Sequence, residues 1–143
     1  MTNGNIRIFD FSASINIVDS GVLFARTTFA YEAPELVLGL PPTPAVDYWS
    51  LGCVMVAMIT GHELFRRVKT CEERAKDIFE VFGPLCWSAI YKVYGINLPI
   101  APVKIVNIEE IIQPTKRRLT ADELCLLSKL LVVDPDKRIV GMM

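Results

Sequence analysis

Residues 46–61 read VDYWSLGCVMVAMITG, and no other stretch of the chain restricts its fold as much. Beyond Asp47 the stretch carries no charged side chain. On a helical wheel Trp49, Cys53 and Val56 share one face, while Leu51, Val54, Met55 and Met58 fall on the others. Apolar residues on every side predict a helix buried all round. At 1.5 Å per residue it would reach about 20 to 25 Å, and its apolar part is shorter than the roughly 20 residues that a bilayer span needs. A core helix is therefore expected, with Asp47 in its first turn, where a carboxylate suits the unpaired backbone N–H groups and the helix dipole.

What surrounds this helix is bounded by size and charge. A chain of 143 residues fits one domain, or part of a larger one, and can bury a real core. With 15 basic and 16 acidic residues the net charge is −1, so no overall field draws the chain to nucleic acid or to a membrane surface. Apolar residues make up 52% and charged residues 22%, which implies a large core or an apolar surface awaiting a partner. Cys53, Cys71, Cys86 and Cys125 lie far apart, and His62 is the single histidine, so zinc-type spacing is absent and reduced thiols are expected. No secretory leader pattern opens the chain, which places it in the cytoplasm or nucleus.

Read in order, Ile6 and Ile8 alternate with Arg7 ahead of Asp10, the pattern of a short strand with one buried face. From Asp10 to Phe29 no period holds, and a long loop is expected, of a length that is uncommon unless functional. Pro34 suits the first position of a short helix that Gly39 closes. Pro41, Pro42 and Pro44 then prevent regular structure until the central helix. A second helix carries Ala75, Ile78, Phe79 and Phe82 at helical spacing and ends at Gly83 and Pro84. Residues 84–120 are broken by Pro99, Pro102 and Pro114, with Ile105 to Ile112 weakly periodic. Lys116, Arg117 and Arg118 form a basic run, read as solvated surface, with an anion or acidic-partner site as the alternative. Thr120 and Glu123 make a capping-box pattern for a third helix, whose apolar face is Leu124, Leu127, Leu130 and Leu131 and which should stop at Asp134 and Pro135. There is no internal repeat and no low-complexity tract.

Four motifs in this order carry a resemblance. Asp10-Phe11-Ser12 resembles the Asp-Phe-Gly metal-binding motif of protein kinases, and Ala33-Pro34-Glu35 matches the motif that closes their activation segment. Asp47-Tyr48-Trp49-Ser50-Leu51-Gly52 is similar to the start of the central helix of the kinase C-terminal lobe. Leu130 to Ile139, LLVVDPDKRI, resembles the segment ending in that lobe's structural arginine. Glu63-Leu64-Phe65, and Ile78-Phe79 leading to Phe82-Gly83-Pro84, are similar to sequences of the cyclin-dependent and mitogen-activated kinase group. The resemblance runs from about Gly4 to Ile139 and is weak between Pro84 and Thr120. It implies a mainly α fold: an incomplete helical C-terminal lobe of the protein kinase fold with a short N-terminal β segment. Residues 1–143 would then be one partial kinase domain, running from the Asp-Phe-Gly-like motif to the terminal structural arginine.

The resemblance also implies roles. Asp10 is the candidate ligand for the Mg²⁺ that bridges ATP phosphates in the complete family, a task that needs a hard oxygen. Glu35 and Arg138 would form a buried salt bridge. Asp47 would accept backbone hydrogen bonds from a catalytic loop, with Trp49 and Gly52 as structural residues of the central helix. Thr28 matches the threonine near the substrate-binding end of the activation segment, a position that favours Ser/Thr substrates. Ser20 and Thr27 offer hydroxyls for phosphate, the alternative being ordinary polar loop residues, while Leu23 and Ala25 occupy the register of the usual activating phosphosites.

The departures are as informative. Ser12 replaces glycine, and if the backbone there needs a positive φ a side chain costs about 1 to 2 kcal/mol. Glu32 stands where the similar group commonly has arginine, and Ala30 where it has tryptophan, which should weaken docking of a phosphate or substrate residue. A Gly-x-Gly-x-x-Gly loop, a strand lysine after Val-Ala-Ile and a His-Arg-Asp loop are not found, so the N-terminal lobe and catalytic loop are read as absent. Phosphoryl transfer depends on positioning and charge stabilisation, so this chain alone should neither bind Mg·ATP nor transfer phosphate. Two functions stay open: part of a Ser/Thr protein kinase whose first half is missing through truncation, gene degeneration or an incomplete gene model, or a non-catalytic, kinase-derived docking or scaffold module. Either implies a protein substrate or docking partner, with no nucleic acid and no membrane.

Overall fold

The computed structural model describes residues 6–16, 28–65, 68–83, 110 and 119–139. These form a 3-10 turn at Phe29–Tyr31 and four helices: α1 (Pro34–Val37), α2 (Ala45–Thr60), α3 (Cys71–Phe82) and α4 (Ala121–Leu130). The mainly helical expectation holds. No described helix is long and apolar enough to cross a membrane.

Each helix begins and ends for a local reason. Pro34 sits at the first position of α1, where its missing N–H leaves nothing unpaired, and Gly39 turns the chain away at φ +72°. The end of α2 is a left-handed Gly61, whose N–H donates to the Ala57 carbonyl at 2.9 Å. At its start the Ala45 N–H donates to Thr43 Oγ1 at 3.3 Å; Asp47 lies in the first turn and is exposed. Thr70 caps α3 by accepting from the Glu73 N–H. The capping box at α4 is complete: the Glu123 N–H donates to Thr120 Oγ1 at 3.2 Å, and the Thr120 N–H to Glu123 Oε2 at 2.9 Å. The C-terminal end of α4 comes earlier than Asp134-Pro135, because the next carbonyls serve other donors: Lys129 O accepts from the Ile139 N–H, and Val132 O and Val133 O from Arg138.

The core is the meeting of α2 with α4 and with the 3-10 turn, while α1 lies against α3. Trp49, Cys53 and Val56, at i, i+4 and i+7, are fully buried. Trp49 stacks on Phe65 with ring centroids 6.1 Å apart and leans on Phe82 at 5.3 Å. Ile78, Phe79, Leu127, Leu131 and Val133 complete the cluster. At Gly52 α2 packs tightly against the C-terminal end of α4. A Cβ there would lie 2.7 Å from Leu131 Cδ2 and 3.1 Å from Leu130 Cβ. Gly52→Ala gains about 1 kcal/mol of helix propensity but overpacks a site costing about 1 to 3 kcal/mol. A net loss of up to about 2 kcal/mol is expected, read as a lowered urea midpoint at unchanged slope.

Two expectations are corrected. The central helix is not buried on all sides: Leu51, Val54 and Met58 are 49%, 41% and 80% exposed. The described elements cover the Trp49–Cys53–Val56 face, and nothing among them lies over the opposite stripe. Nor is there a strand at residues 6–9. Ile6, Ile8 and Phe9 are exposed, and a strand needs a ladder partner that no described residue supplies. Ser20, Leu23, Ala25, Thr27, Cys86, residues 105–109, 111 and 112, and the basic run at 116–118 lie outside the described residues.

Candidate functional site

The best-defined constellation fastens residues 28–35 to the base of the helical core. Glu35 points inward from the first turn of α1, and Arg138 enters from the turn after α4, which Asp134 organises. The Asp134 carbonyl accepts from the N–H groups of Lys137 and Arg138, and its Oδ1 accepts from the Asp136 N–H. Arg138 Nη1 and Nη2 donate to Glu35 Oε1 and Oε2 at 2.7 and 3.0 Å, a bidentate pair with both side chains buried. Nη1 also donates to the Ala45 carbonyl at 2.7 Å, Nε to Val132 O at 2.8 Å and Nη2 to Val133 O at 3.2 Å. A guanidinium has five N–H donors, and each is used here. Its carbon also lies 5.2 Å from the centre of the Trp49 ring.

A second fastening comes from Ser50, whose hydroxyl donates to the Tyr31 carbonyl at 2.9 Å, with Val46 O at 3.1 Å as its alternative acceptor within the helix. Thr28 stands exposed before this turn, and its carbonyl accepts from the Tyr31 N–H. The structure thus gathers Glu35, Arg138, Trp49 and the start of α2 at one place, with Thr28 on the adjoining surface. Asp10 and Ser12 are exposed on a separate segment.

At Asp10 the geometry changes one expectation. The positive φ belongs to Asp10 itself, at 66°, and Ser12 does not share it. Aspartate tolerates this region because its short side chain can hydrogen-bond locally. Here Asp10 Oδ1 accepts from Ser12 Oγ at 2.6 Å and from the Ser12 N–H at 3.3 Å. The two Ser12 bonds hold the carboxyl below its usual range, so it is ionised near neutrality. One ionised oxygen ligand suits part of a Mg²⁺ shell. Among the described residues no group of three His, Cys, Asp or Glu side chains could hold a metal ion.

Cys53 is a free thiol buried in the core. Burial pushes its thiol up to about 12, against the opposing pull of Arg74 and Arg138. Iodoacetamide at pH 8 should therefore label the exposed Cys71 and Cys125 and spare Cys53 until the chain unfolds, as read by peptide mass. Because the unfolded thiol ionises near 9.0 and the folded one near about 12, stability should fall as pH rises through that interval.

Sequence reasoning missed Ser50 as a tie to Tyr31, Thr43 as the acceptor at the α2 start, and Arg74. The last had a signal: it occupies the apolar side of α3, four residues before Ile78, where a charge must find internal partners.

Comparison with known proteins agrees with this geometry. Residues 1–142 match the protein kinase domain family. Cyclin-dependent kinase C-2 of Oryza sativa subsp. japonica is 32% identical over 145 residues, covering 95% of this chain and 27% of that protein. The stress-activated protein kinase JNK of Drosophila melanogaster is 31% identical over 153 residues, covering 94% of this chain and 40% of that protein. The chain thus spans between about a quarter and two-fifths of the length of these two relatives, which lie in the group that the motifs resemble. With the Glu35–Arg138 pair, the Trp49 helix and the family match in agreement, the chain belongs to the protein kinase domain family.

Proposed function

We propose that residues 1–143 form the substrate-side base of a Ser/Thr protein kinase domain, one that in complete form passes phosphate from ATP to a protein Ser or Thr hydroxyl. In this reading the chain works in the cytoplasm or nucleus and is inactive alone. The observation that carries it is the double fastening of residues 31–35, by Arg138 to Glu35 and by Ser50 to Tyr31, beside the exposed Thr28. Rigid placement of the acceptor segment is what phosphoryl transfer, a chemistry of positioning, requires. Mg²⁺ supplies charge neutralisation on the phosphates when bound, and Asp10 is the residue here suited to hold it. Calorimetric titration of the purified chain with Mg·ATP should show no binding; micromolar affinity would overturn the inactive-alone reading.

A second reading, a non-catalytic docking module, is favoured by the exposed Leu51–Val54–Met58 stripe, an apolar surface of the kind that marks interaction sites. The intact mass of the endogenous protein separates the two. A longer product carrying an upstream lysine and catalytic aspartate supports the kinase, and a product starting at Met1 supports the module.

A further inference from the structure

Arg74 is fully buried, yet it takes no part in the Arg138–Glu35 fastening. Its guanidinium carbon lies 5.1 Å from the centre of the Phe65 ring and 5.8 Å from that of Phe29. Phe65 is buried, stacks on Trp49 and leans on Phe82. Phe29, by contrast, opens the 3-10 turn that runs into Glu35. Arg74 Nη1 stands 3.9 Å from Asp77 Oδ2, and Glu32 and Glu63 also act on its charge. Burial pulls the guanidinium below its usual range and these acids push it back, while arginine stays protonated throughout. A cation therefore meets both a ring of the core cluster and the ring that opens the turn, and the charge of Glu32, just after the turn, acts on it.

We propose that Arg74 is a latch through which α3 sets the conformation of residues 28–32: it clasps Phe29 against the core from one side, while Arg138 and Ser50 hold the other end of the segment. The name substrate side for this segment rests on the kinase reading; the latch does not. Glu32, which from sequence should repel a phosphate, lies instead in the field of an arginine that the chain supplies internally. A cation held against aromatic faces is favoured most where water is excluded, as here. A partner that shifts α3 would accordingly reshape the Thr28 surface without touching it.

The test is amide hydrogen exchange on the full chain and on two variants expected to fold. Arg74→Lys keeps the charge but loses the planar guanidinium that lies within reach of both rings. Phe29→Leu removes the outer ring and leaves Arg74 in place. The latch predicts at least tenfold faster exchange at residues 29–37 in each variant, with protection across Ala45–Thr60 within twofold of the parent. Unchanged exchange at 29–37 in Phe29→Leu would overturn the proposal. So would an equal rise across α2, which would make the cluster ordinary packing. Should Arg74→Lys fail to fold, Phe29→Leu decides by the same criteria. Mg·ATP binding, present or absent, leaves this result unaffected.

Discussion

Trp49→Ala is expected to destabilise the chain by about 3 to 5 kcal/mol, the range for truncating a large buried aromatic. Trp49 is fully buried and touches three separate parts of the fold. Its ring stacks on Phe65, leans on Phe82 and lies under the Arg138 guanidinium. Removing it leaves a cavity, frees two rings and strips one face from a buried cation. Because small domains are stable by only about 5 to 15 kcal/mol, this loss removes between about a fifth and all of the stability. Urea unfolding followed by far-ultraviolet circular dichroism measures this, and a loss below about 1 kcal/mol would show that the cluster can collapse into the space. Trp49→Phe should recover part of the loss, by restoring ring contact without the full volume.

Arg138→Met should cost a similar amount, about 3 to 5 kcal/mol, by a different route. The methionine fills much of the volume but leaves the Glu35 carboxylate, and the carbonyls of Ala45, Val132 and Val133, without their donor. The penalty is one of stranded polar groups and not of lost packing. This gives the prediction a distinctive second arm. Adding Glu35→Leu to Arg138→Met removes the stranded charge, so the double variant should be more stable than Arg138→Met alone. A double-mutant cycle in which the two losses simply add would show that the pair is not coupled. Limited proteolysis should cut the Arg138→Met chain within residues 28–40 before it cuts α2, since that segment loses its anchor.

How much of this was legible in the sequence depends on whether a residue's task is local. The α4 capping box, the Pro34 start of α1 and the Gly61 end of α2 follow from backbone groups one turn away, and each was readable. The Glu35–Arg138 pair is not local, and it came from motif resemblance; no spacing rule joins residues so far apart. Orientation of α2 failed for a definite reason. With apolar residues on every side, the helix carries no periodic signal of which face is covered, and only its neighbours decide that Leu51, Val54 and Met58 face outward. The strand at residues 6–9 failed similarly, because alternation describes a face and not the partner that must complete the ladder. Arg74 shows the opposite case: an arginine on the apolar side of a helix reads as an exception until two aromatic rings and three acids are seen around it.

The Arg138–Glu35 pair joins residues 103 positions apart, and this separation puts a clock on biosynthesis. At roughly 5 to 20 residues per second, a ribosome needs on the order of 5 to 20 s between placing the carboxylate and placing its cation. Through that interval the Glu35 carboxylate lacks its guanidinium, and the ring of Trp49 waits for the same arginine. The emerging chain can form α1 and α2 as local segments, yet the bond that fastens the one to the base of the other cannot close until Arg138 is in place.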